Sequence, residues 1–405
     1  MLTFSDTLIA MWKTLRSLPR TVWLIGLISF VNDSASEMLY PLMPLYLASV
    51  LMAGPKALGL IEGVAEATSS IFKLVSGVIV DRTKRSKAWI VIGYLLAGIG
   101  RPLIALAISW TWVLLIRFTD RLGKGLRSSP RDVLLAESVP AHQRGITFGL
   151  HRSMDNAGAV VGPLLAALLL SLNVPLRDVF LWAAIPGVIT VLLALCLTEP
   201  TRKTSVIPKK FTWSMEGLPS QLRRYIFVVG LFALGNSSDM FLLLRAREAG
   251  VPQDQIPLLW AAISLITTIF GTPLSALSDR FSRKYFILIA WLAFAFFYMA
   301  MSLPHISIWS IFGLFGLYGL FKAATEGVEK ALVADLAPPG MAGTAFGWFN
   351  LISGVMLFPA SFIFGWIYES FSPTYAFLFS GSCALCALVM LASWVFRAIA
   401  PNQTA

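Results

Sequence analysis

Charged residues are scarce in this sequence of 405 residues, of which 13% are charged and 57% are hydrophobic. Soluble globular chains carry about 25% charged residues, so the composition excludes an ordinary soluble domain. A membrane-spanning helix needs about 20 apolar residues, and we count twelve such stretches in the sequence. We therefore predict an all-α membrane protein with twelve transmembrane helices.

Cysteine and histidine are also rare, with three of each in the whole chain. Cys383 and Cys386 have the spacing of a redox pair, but they lie in an apolar run without a strand or polar turn, which favours core packing. The histidines are too scattered to form a metal site, and no glycine-rich phosphate loop of the Walker kind is present. We expect no metal, no cofactor, no catalytic residue and no direct use of ATP.

The net charge of +11 would suit nucleic-acid binding if the cations formed one patch. They cluster instead in short loops between hydrophobic runs, on the side of the amino terminus if the spans alternate. This asymmetry is the positive-inside pattern. It predicts a multi-pass protein of the cell inner membrane with both termini in the cytoplasm, whose partner is the lipid bilayer and not nucleic acid.

One hydrophobic stretch carries charges that a lipid-facing helix would exclude. Arg117, Asp120, Arg121 and Lys124 follow the apolar segment 110–116 at helical spacing, so they share one face. Each charge costs about 2.5–3.5 kcal/mol at the membrane centre on insertion scales. The face must therefore line a wet cavity walled by protein.

Arginine side chains match carboxylate and phosphate oxygens, so this face is a candidate for substrate contact. The predicted substrate-binding residues, which include polar positions on three spans of the second half, are Arg117, Asp120, Arg121, Lys124, Asn236, Lys322 and Asn350. The alternative is an internal salt-bridge ladder without a ligand role, formed by Arg117 with Asp120 or by Lys124 with Asp155.

Asp33 and Glu37 interrupt the first apolar span one helical turn apart, and no cation lies within a turn of either. Carboxylates in such a position serve as proton sites or as partners of cations on another helix. The predicted proton-coupling residues are Asp33, Glu37, Asp155, Asp239 and Glu326. The alternative for the first span is a kinked helix with a polar, hydrated lining that does not titrate.

The two halves of the chain match at a constant offset of 198 residues, at which Asp81 meets Asp279 and Lys124 meets Lys322. An offset that keeps this many polar and glycine positions in register indicates a six-span unit used twice. We predict two pseudo-symmetric six-helix bundles, residues 1–198 and 225–405, joined by a basic cytoplasmic linker, residues 199–224.

The loop sequences at 77–85 and 275–284 resemble the paired loop signature of the major facilitator superfamily. Residues 117–125 are similar to the arginine and glycine pattern of that family's fourth helix, and residues 158–163 to its fifth-helix antiporter signature. The resemblance implies a gate or conformational latch formed by Gly77, Asp81, Arg82, Arg85, Asp279, Arg280, Arg283, Gly158, Gly162 and Pro163.

These observations predict a monomeric secondary transporter that exports a charged or amphipathic organic small molecule in exchange for protons, by alternating access. The first alternative is a proton symporter that imports an organic anion or a siderophore-like chelate. The second is a membrane-embedded enzyme or a sensor that binds a solute without moving it. No paired histidines, nucleophile elbow or metal spacing supports the enzyme.

Overall fold

The structure is a computed structural model that describes residues 17–83, 85–140, 143–199, 215–280, 282–325, 328–338 and 342–396. Within these ranges the chain is helical and contains no β-strand. An all-helical chain satisfies its backbone hydrogen bonds within each segment, as a lipid environment demands.

The first half of the chain forms six passes. Its helices are α1 (Arg20–Leu39), α2 (Met43–Ser49), α3 (Pro55–Thr83), α4 (Ser86–Leu103), α5 (Trp110–Glu137), α6 (Arg144–Ser171), α7 (Leu176–Trp182) and α8 (Ala184–Leu195). The pairs α1/α2 and α7/α8 each make one broken pass.

The second half repeats this arrangement. Its helices are α9 (Ser220–Gly235), α10 (Met240–Glu248), α11 (Ile256–Arg280), α12 (Arg283–Met301), α13 (Ile308–Thr325), α14 (Val328–Leu336), α15 (Ala342–Ser370) and α16 (Pro373–Met390), followed by one π-helical turn at Leu391–Phe396. Corresponding helices keep the offset seen in the sequence, since α5 and α13 begin at Trp110 and Ile308, and α6 and α15 at Arg144 and Ala342.

Two helix breaks differ from a simple interpretation of the sequence. The polar stretch 32–37 does not break the first pass, because α1 continues to Leu39 and the break is the 3₁₀ turn Tyr40–Leu42, which contains Pro41. Proline has no amide to continue the helical hydrogen bonds. The seventh pass is also broken, since its helix is interrupted between Gly235 and Met240.

Eight segments of the described chain are long and apolar enough to cross a membrane by length and composition. The passes that fall short are α1/α2, α3, α5 and α11, and the first three carry acidic or basic side chains in mid-pass. Large apolar side chains cover the outer surface, as with Ile289 on α12, Leu192 on α8 and Leu168 on α6, each more than half exposed. The charged passes therefore face inward, and the outer apolar passes present a face to lipid, whereas the apolar pass Ser220–Glu248 is mostly buried within the protein.

The most extensive contacts between the halves are those of α3 with α15 and of α6 with α11. The core of the second half is rich in aromatic rings: Phe232 stacks on Trp291 with 4.1 Å between ring centroids, and Phe294 and Tyr298 continue the cluster. The predicted boundaries of the two bundles and of the linker stay predictions, and residues 200–214 of the linker lie outside the described residues.

Candidate functional site

The charged face of α5 is held by a buried ion-pair network inside the first half. Arg117 Nη2 lies 2.5 Å from Glu62 Oε1 on α3, and Arg117 Nη1 lies 3.9 Å from Asp120 Oδ2. Asp120 Oδ1 lies 3.3 Å from Arg101 Nε on α4. A buried charge is tolerated only when it is paired, and here the pairs join α3, α4 and α5.

Arg121 continues the network toward the centre of the molecule, with its Nη2 3.4 Å from Glu66 Oε1. Glu62 and Glu66 line the central cavity, whereas Arg117, Asp120 and Arg121 are not among its described lining residues. This arrangement agrees with the internal salt-bridge alternative for Arg117 and Asp120. Their substrate contact stays a prediction.

Lys124 differs from the other ions of α5 because its side chain is exposed. Among the described residues no carboxylate lies within ion-pairing distance of it, and it interacts electrostatically with Glu66, Asp33 and Glu37. The predicted alternative partner, Asp155, instead pairs with Arg152 at 3.6 Å. The Lys124 ammonium can therefore bind a mobile anion, and its interaction energy depends on whether the neighbouring carboxyl groups are protonated.

Asp33 and Asp155 come together where α1 crosses α6, and their carboxyl groups approach to hydrogen-bonding distance. The close crossing depends on glycine: a Cβ at Gly158 would lie 2.5 Å from the Phe30 carbonyl oxygen and 3.1 Å from Asp33 Cβ. Gly162 meets the Ser34 carbonyl oxygen in the same way. Two carboxyl groups this close need a shared proton or a nearby cation.

Glu37 links the two halves of the molecule. Trp260 Nε1 on α11 donates a hydrogen bond of 2.7 Å to Glu37 Oε2 on α1. The same indole stacks on Tyr40 with 4.7 Å between ring centroids, and Lys322 Nζ lies 5.1 Å from the indole centre. The Trp260 indole therefore has a carboxylate of the first half at its N–H and an ammonium of the second half next to its ring.

Asp239 lies at the break between α9 and α10. Lys322 Nζ donates to Asp239 Oδ2 at 2.8 Å, and the Tyr318 hydroxyl donates to Asp239 Oδ1. The irregular backbone is satisfied locally, because the Ser238 amide donates to Ser361 Oγ at 3.1 Å and the Met240 amide to Ser238 Oγ at 3.3 Å. Irregular backbone at membrane depth occurs where it lines a cavity.

A central cavity of about 530 Å³ lies between the halves. Tyr40, Glu62 and Glu66 line it from the first half, and the second half contributes the remaining walls. It brings together four residues of the predicted site: Asn236, Asp239, Lys322 and Asn350. Its volume falls within the range of small-molecule pockets.

A second cavity, of about 580 Å³, lies nearer the end of the bundle where α1 begins, which we call the terminus face. The first half lines it with Lys73, Arg131, Asp132, His151, Arg152, Asp155 and Asn156, among others. The second half contributes Thr267, Thr268, Gly271, Ala323 and Lys330. Of the predicted substrate and proton residues that the structure describes, this cavity contains Asp155 alone.

The predicted gate is described only in part. Arg85 is exposed at the start of α4, and Arg283 Nη1 pairs with Asp335 Oδ2 at 2.5 Å. Gly158, Gly162 and Pro163 are buried on α6. The remaining predicted positions lie outside the residues described at side-chain level: Gly77, Asp81, Arg82, Asp279, Arg280 and, from the proton-coupling set, Glu326.

Sequence reasoning missed Trp260, Arg101 and Tyr318. Trp260 and Tyr318 belong to apolar runs in which an aromatic residue carries no signal of its own, and Arg101 lies near the end of a span, where an arginine is ordinary. Glu62 and Glu66 were visible as a polar face of the second pass, but their partners on α5 were not. Which helix faces which is not encoded in local spacing.

Comparison with known proteins supports the arrangement. The sequence profile of the Major Facilitator Superfamily matches residues 25–245 and 225–405. An uncharacterized MFS-type transporter of Methanocaldococcus jannaschii is 32% identical over 93% of this chain and 95% of that protein. The multidrug resistance protein MdtH of Photorhabdus laumondii is 26% identical over 82% of each chain. The nucleoside transporter NupG superposes with a TM-score of 0.78 at 12% identity, over 92% of this chain and 99% of that one.

Two six-helix halves around an ionised cavity define a class, the polytopic membrane transporters. The chain belongs to the Major Facilitator Superfamily.

Proposed function

We propose that the protein is a proton-coupled antiporter that exports a charged or amphipathic organic small molecule. The observation that carries this proposal is the approach of Asp33 and Asp155, on two helices of one half, beside the exposed Lys124. A carboxyl pair of this kind holds a proton in one arrangement of its surroundings and releases it when a cation approaches. Similarity to multidrug resistance proteins supports export.

Alternating access is consistent with how the halves touch. On the face opposite the termini, Glu369 at the end of α15 accepts a hydrogen bond of 2.8 Å from the Lys56 amide of α3. Along the same helix pair, a Cβ at Gly63 would lie 2.9 Å from the Phe358 carbonyl oxygen. The halves are thus closed on that face, and the larger cavity lies toward the terminus face. Rocking of the halves would close the terminus face and open the opposite face.

In this proposal the coupling residues are Asp33, Glu37 and Asp155, with Asp239 and Glu326 as their counterparts in the second half. Lys124, Lys322, Asn236 and Asn350 would contact the substrate, while Arg117, Asp120 and Arg121 hold the cavity wall. The latch would include Arg85, Arg283 and the glycines of α6. No cofactor is invoked.

The terminus face is assigned to the cytoplasm of an inner-membrane protein, with the protein acting as a monomer. Arg85, Lys87, Arg283 and Lys284 lie at the helix ends on this face, and cytoplasmic loops are enriched in such residues. The closed face would then be external, and the described conformation would be inward-facing.

The alternative is a proton symporter that imports an organic anion or a siderophore-like chelate. The specific observation in its favour is the basic lining of the cavity at the terminus face. Both functions use the same carboxyl pair, and they differ in the direction of the proton gradient that drives accumulation.

Oriented vesicles decide between export and import. A solute is first identified by a thermal-shift screen of the purified protein, since a ligand that binds only the folded state raises its apparent stability. Accumulation in everted vesicles driven by an acidic interior supports antiport. Accumulation in right-side-out vesicles driven by an acidic exterior supports the symporter, and binding without any accumulation supports a sensor.

A further inference from the structure

The cavity at the terminus face contains four cations, of which two already have acidic partners. Arg131 Nη2 lies 3.2 Å from Asp132 Oδ1, and Arg152 Nη1 lies 3.6 Å from Asp155 Oδ2. The two carboxylates that line this cavity are therefore engaged by arginines. Two positive charges remain, on Lys73 and Lys330.

Lys73 lies on α3 and Lys330 on α14, so each half contributes one lysine. Both side chains are exposed, and among the described residues neither has a carboxylate within ion-pairing distance. The Lys73 ammonium is attracted by Asp132 and repelled by the Lys330 ammonium. Glu329, which precedes Lys330 in the sequence, accepts a hydrogen bond of 2.8 Å from Trp291 Nε1.

Two ammonium groups that line one cavity repel each other, and an anion bound between them removes that repulsion. A single negative charge would pair with one lysine and leave the other. A ligand with two negative charges would pair with both, and it would remove the repulsion between the halves as it binds. Asn156 lines the same cavity and offers an amide donor beside the arginine pairs.

We propose that Lys73 and Lys330 form a clamp for a small organic dianion, a molecule with either one phosphate monoester or two carboxylates. The clamp rests on the proposed function, because it names the substrate class that enters from the terminus face. The ligand neutralises one lysine of each half. Its binding therefore removes a repulsion between the halves and favours their closure.

Calorimetry on the purified full-length protein tests the clamp at constant ionic strength. The probes are glycerol 3-phosphate and succinate as dianions, acetate as a monoanion and glycerol as a neutral compound. We expect a dianion to bind at least about tenfold more tightly than acetate, because each factor of ten corresponds to about 1.4 kcal/mol and a second ion pair of this kind supplies it. Tighter binding of glycerol 3-phosphate assigns a phosphate ligand, and tighter binding of succinate a dicarboxylate.

Single variants show whether the site is the one proposed. Lys73→Gln and Lys330→Gln should each weaken dianion binding about tenfold and leave acetate binding within about twofold, since one lysine remains for a single charge. Lys87→Gln, on the same face but outside the cavity, is the matched control. Thermal unfolding of each variant checks that it is folded.

Dianion binding no tighter than acetate binding, or equal losses in Lys87→Gln and Lys73→Gln, would overturn the clamp. Neither result touches the proton-coupled transport proposed above, because that is measured by gradient-driven accumulation and depends on Asp33. Loss of accumulation in Asp33→Asn with intact dianion binding would conversely separate coupling from recognition.

Discussion

Trp260 is one of the residues through which the two halves of the molecule contact each other. Its indole N–H donates to Glu37 of the first half, while its ring lies beside Lys322 of the second. The sequence predicted Glu37 and Lys322 as functional because charge in an apolar span is conspicuous. It did not predict Trp260, because a tryptophan in an apolar helix is ordinary and its partner lies 223 residues away.

Trp260→Phe should loosen the contact between the halves without disturbing the aromatic stack. Phenylalanine keeps a ring against Tyr40 but has no N–H, and a hydrogen bond to a charged group contributes about 1.5–3 kcal/mol. We expect the population open on the face opposite the termini to rise about tenfold. Spin labels at Met52 and Trp309, which are 83% and 85% exposed on that face, report the distance between halves.

Trp366→Phe is the control, because Trp366 is exposed on α15 and its indole N–H has no hydrogen-bond partner among the residues that the structure describes. If both variants leave the label distances unchanged, the bond between Glu37 and Trp260 does not restrain the halves.

At the scale of helices, two of the glycines of α6 differ in role with their position. Gly158 packs directly on the backbone of α1, whereas a Cβ at Gly149 would meet no atom within 4 Å. The small-residue spacing at 158 and 162 is typical of a close helix contact. It did not predict that the contact would be with α1 and would bring Asp155 to Asp33, because spacing shows that a face is small and not what it packs against.

Gly158→Ala should separate α1 from α6 and destabilise the protein by about 1–3 kcal/mol, the usual cost of overpacking. Gly149→Ala should be neutral or stabilising, because alanine is the better helix former by up to about 1 kcal/mol. Thermal unfolding of the two variants in detergent measures the difference. Equal melting temperatures would show that the crossing of α1 and α6 tolerates a methyl group.

Two helix starts are capped by a glutamate from another segment, and they form a natural pair. Glu369 of α15 caps α3 across the two halves, with its Oε2 2.8 Å from the Lys56 amide. Glu199 caps α4 within the first half, at 2.7 Å from the Ser86 amide and 2.8 Å from the Lys87 amide. Each bond satisfies an amide at a helix start, where a carboxylate also meets a favourable dipole.

Glu369→Gln should favour opening on the face opposite the termini, because this cap exists only while the halves touch there. A cap contributes about 0.5–2 kcal/mol, so a threefold or larger rise in the open population is expected. Glu199→Gln should lower stability to a similar degree and leave the population unchanged. The Met52 and Trp309 labels serve here as well, and a shift of equal size in both variants would contradict the assignment.

For the whole molecule, the sequence predicted most of the fold. The prediction depended on three properties of the entire chain: twelve apolar stretches, an asymmetry of basic loops and an internal repeat. A misassigned single residue does not change any of them. The break at 236–239 was missed because its polar residues also fit the interior of a cavity-lining helix. The packing of α3 on α15 could not be predicted, since it depends on how the two halves face each other.

The same limit applies to the site. The spacing placed the ions of α5 on one face. It did not show that Arg117 pairs with Glu62 and Arg121 with Glu66, because both carboxylates belong to α3. It also did not show that Lys124 remains exposed. An arginine pattern alone does not say whether its partner is a substrate or a neighbouring helix.

The central claim is that the carboxyl pair of Asp33 and Asp155 carries the proton that drives transport. Asp33→Asn replaces the ionisable carboxyl group with a neutral amide of similar shape, and Asp254→Asn, at an exposed loop position, is the matched control. Proteoliposomes loaded with the identified solute compare counterflow, which needs no net proton movement, with accumulation driven by a pH gradient. The account predicts that Asp33→Asn retains counterflow and loses gradient-driven accumulation, while Asp254→Asn retains both. Gradient-driven accumulation by Asp33→Asn at the level of the unmodified protein would contradict it.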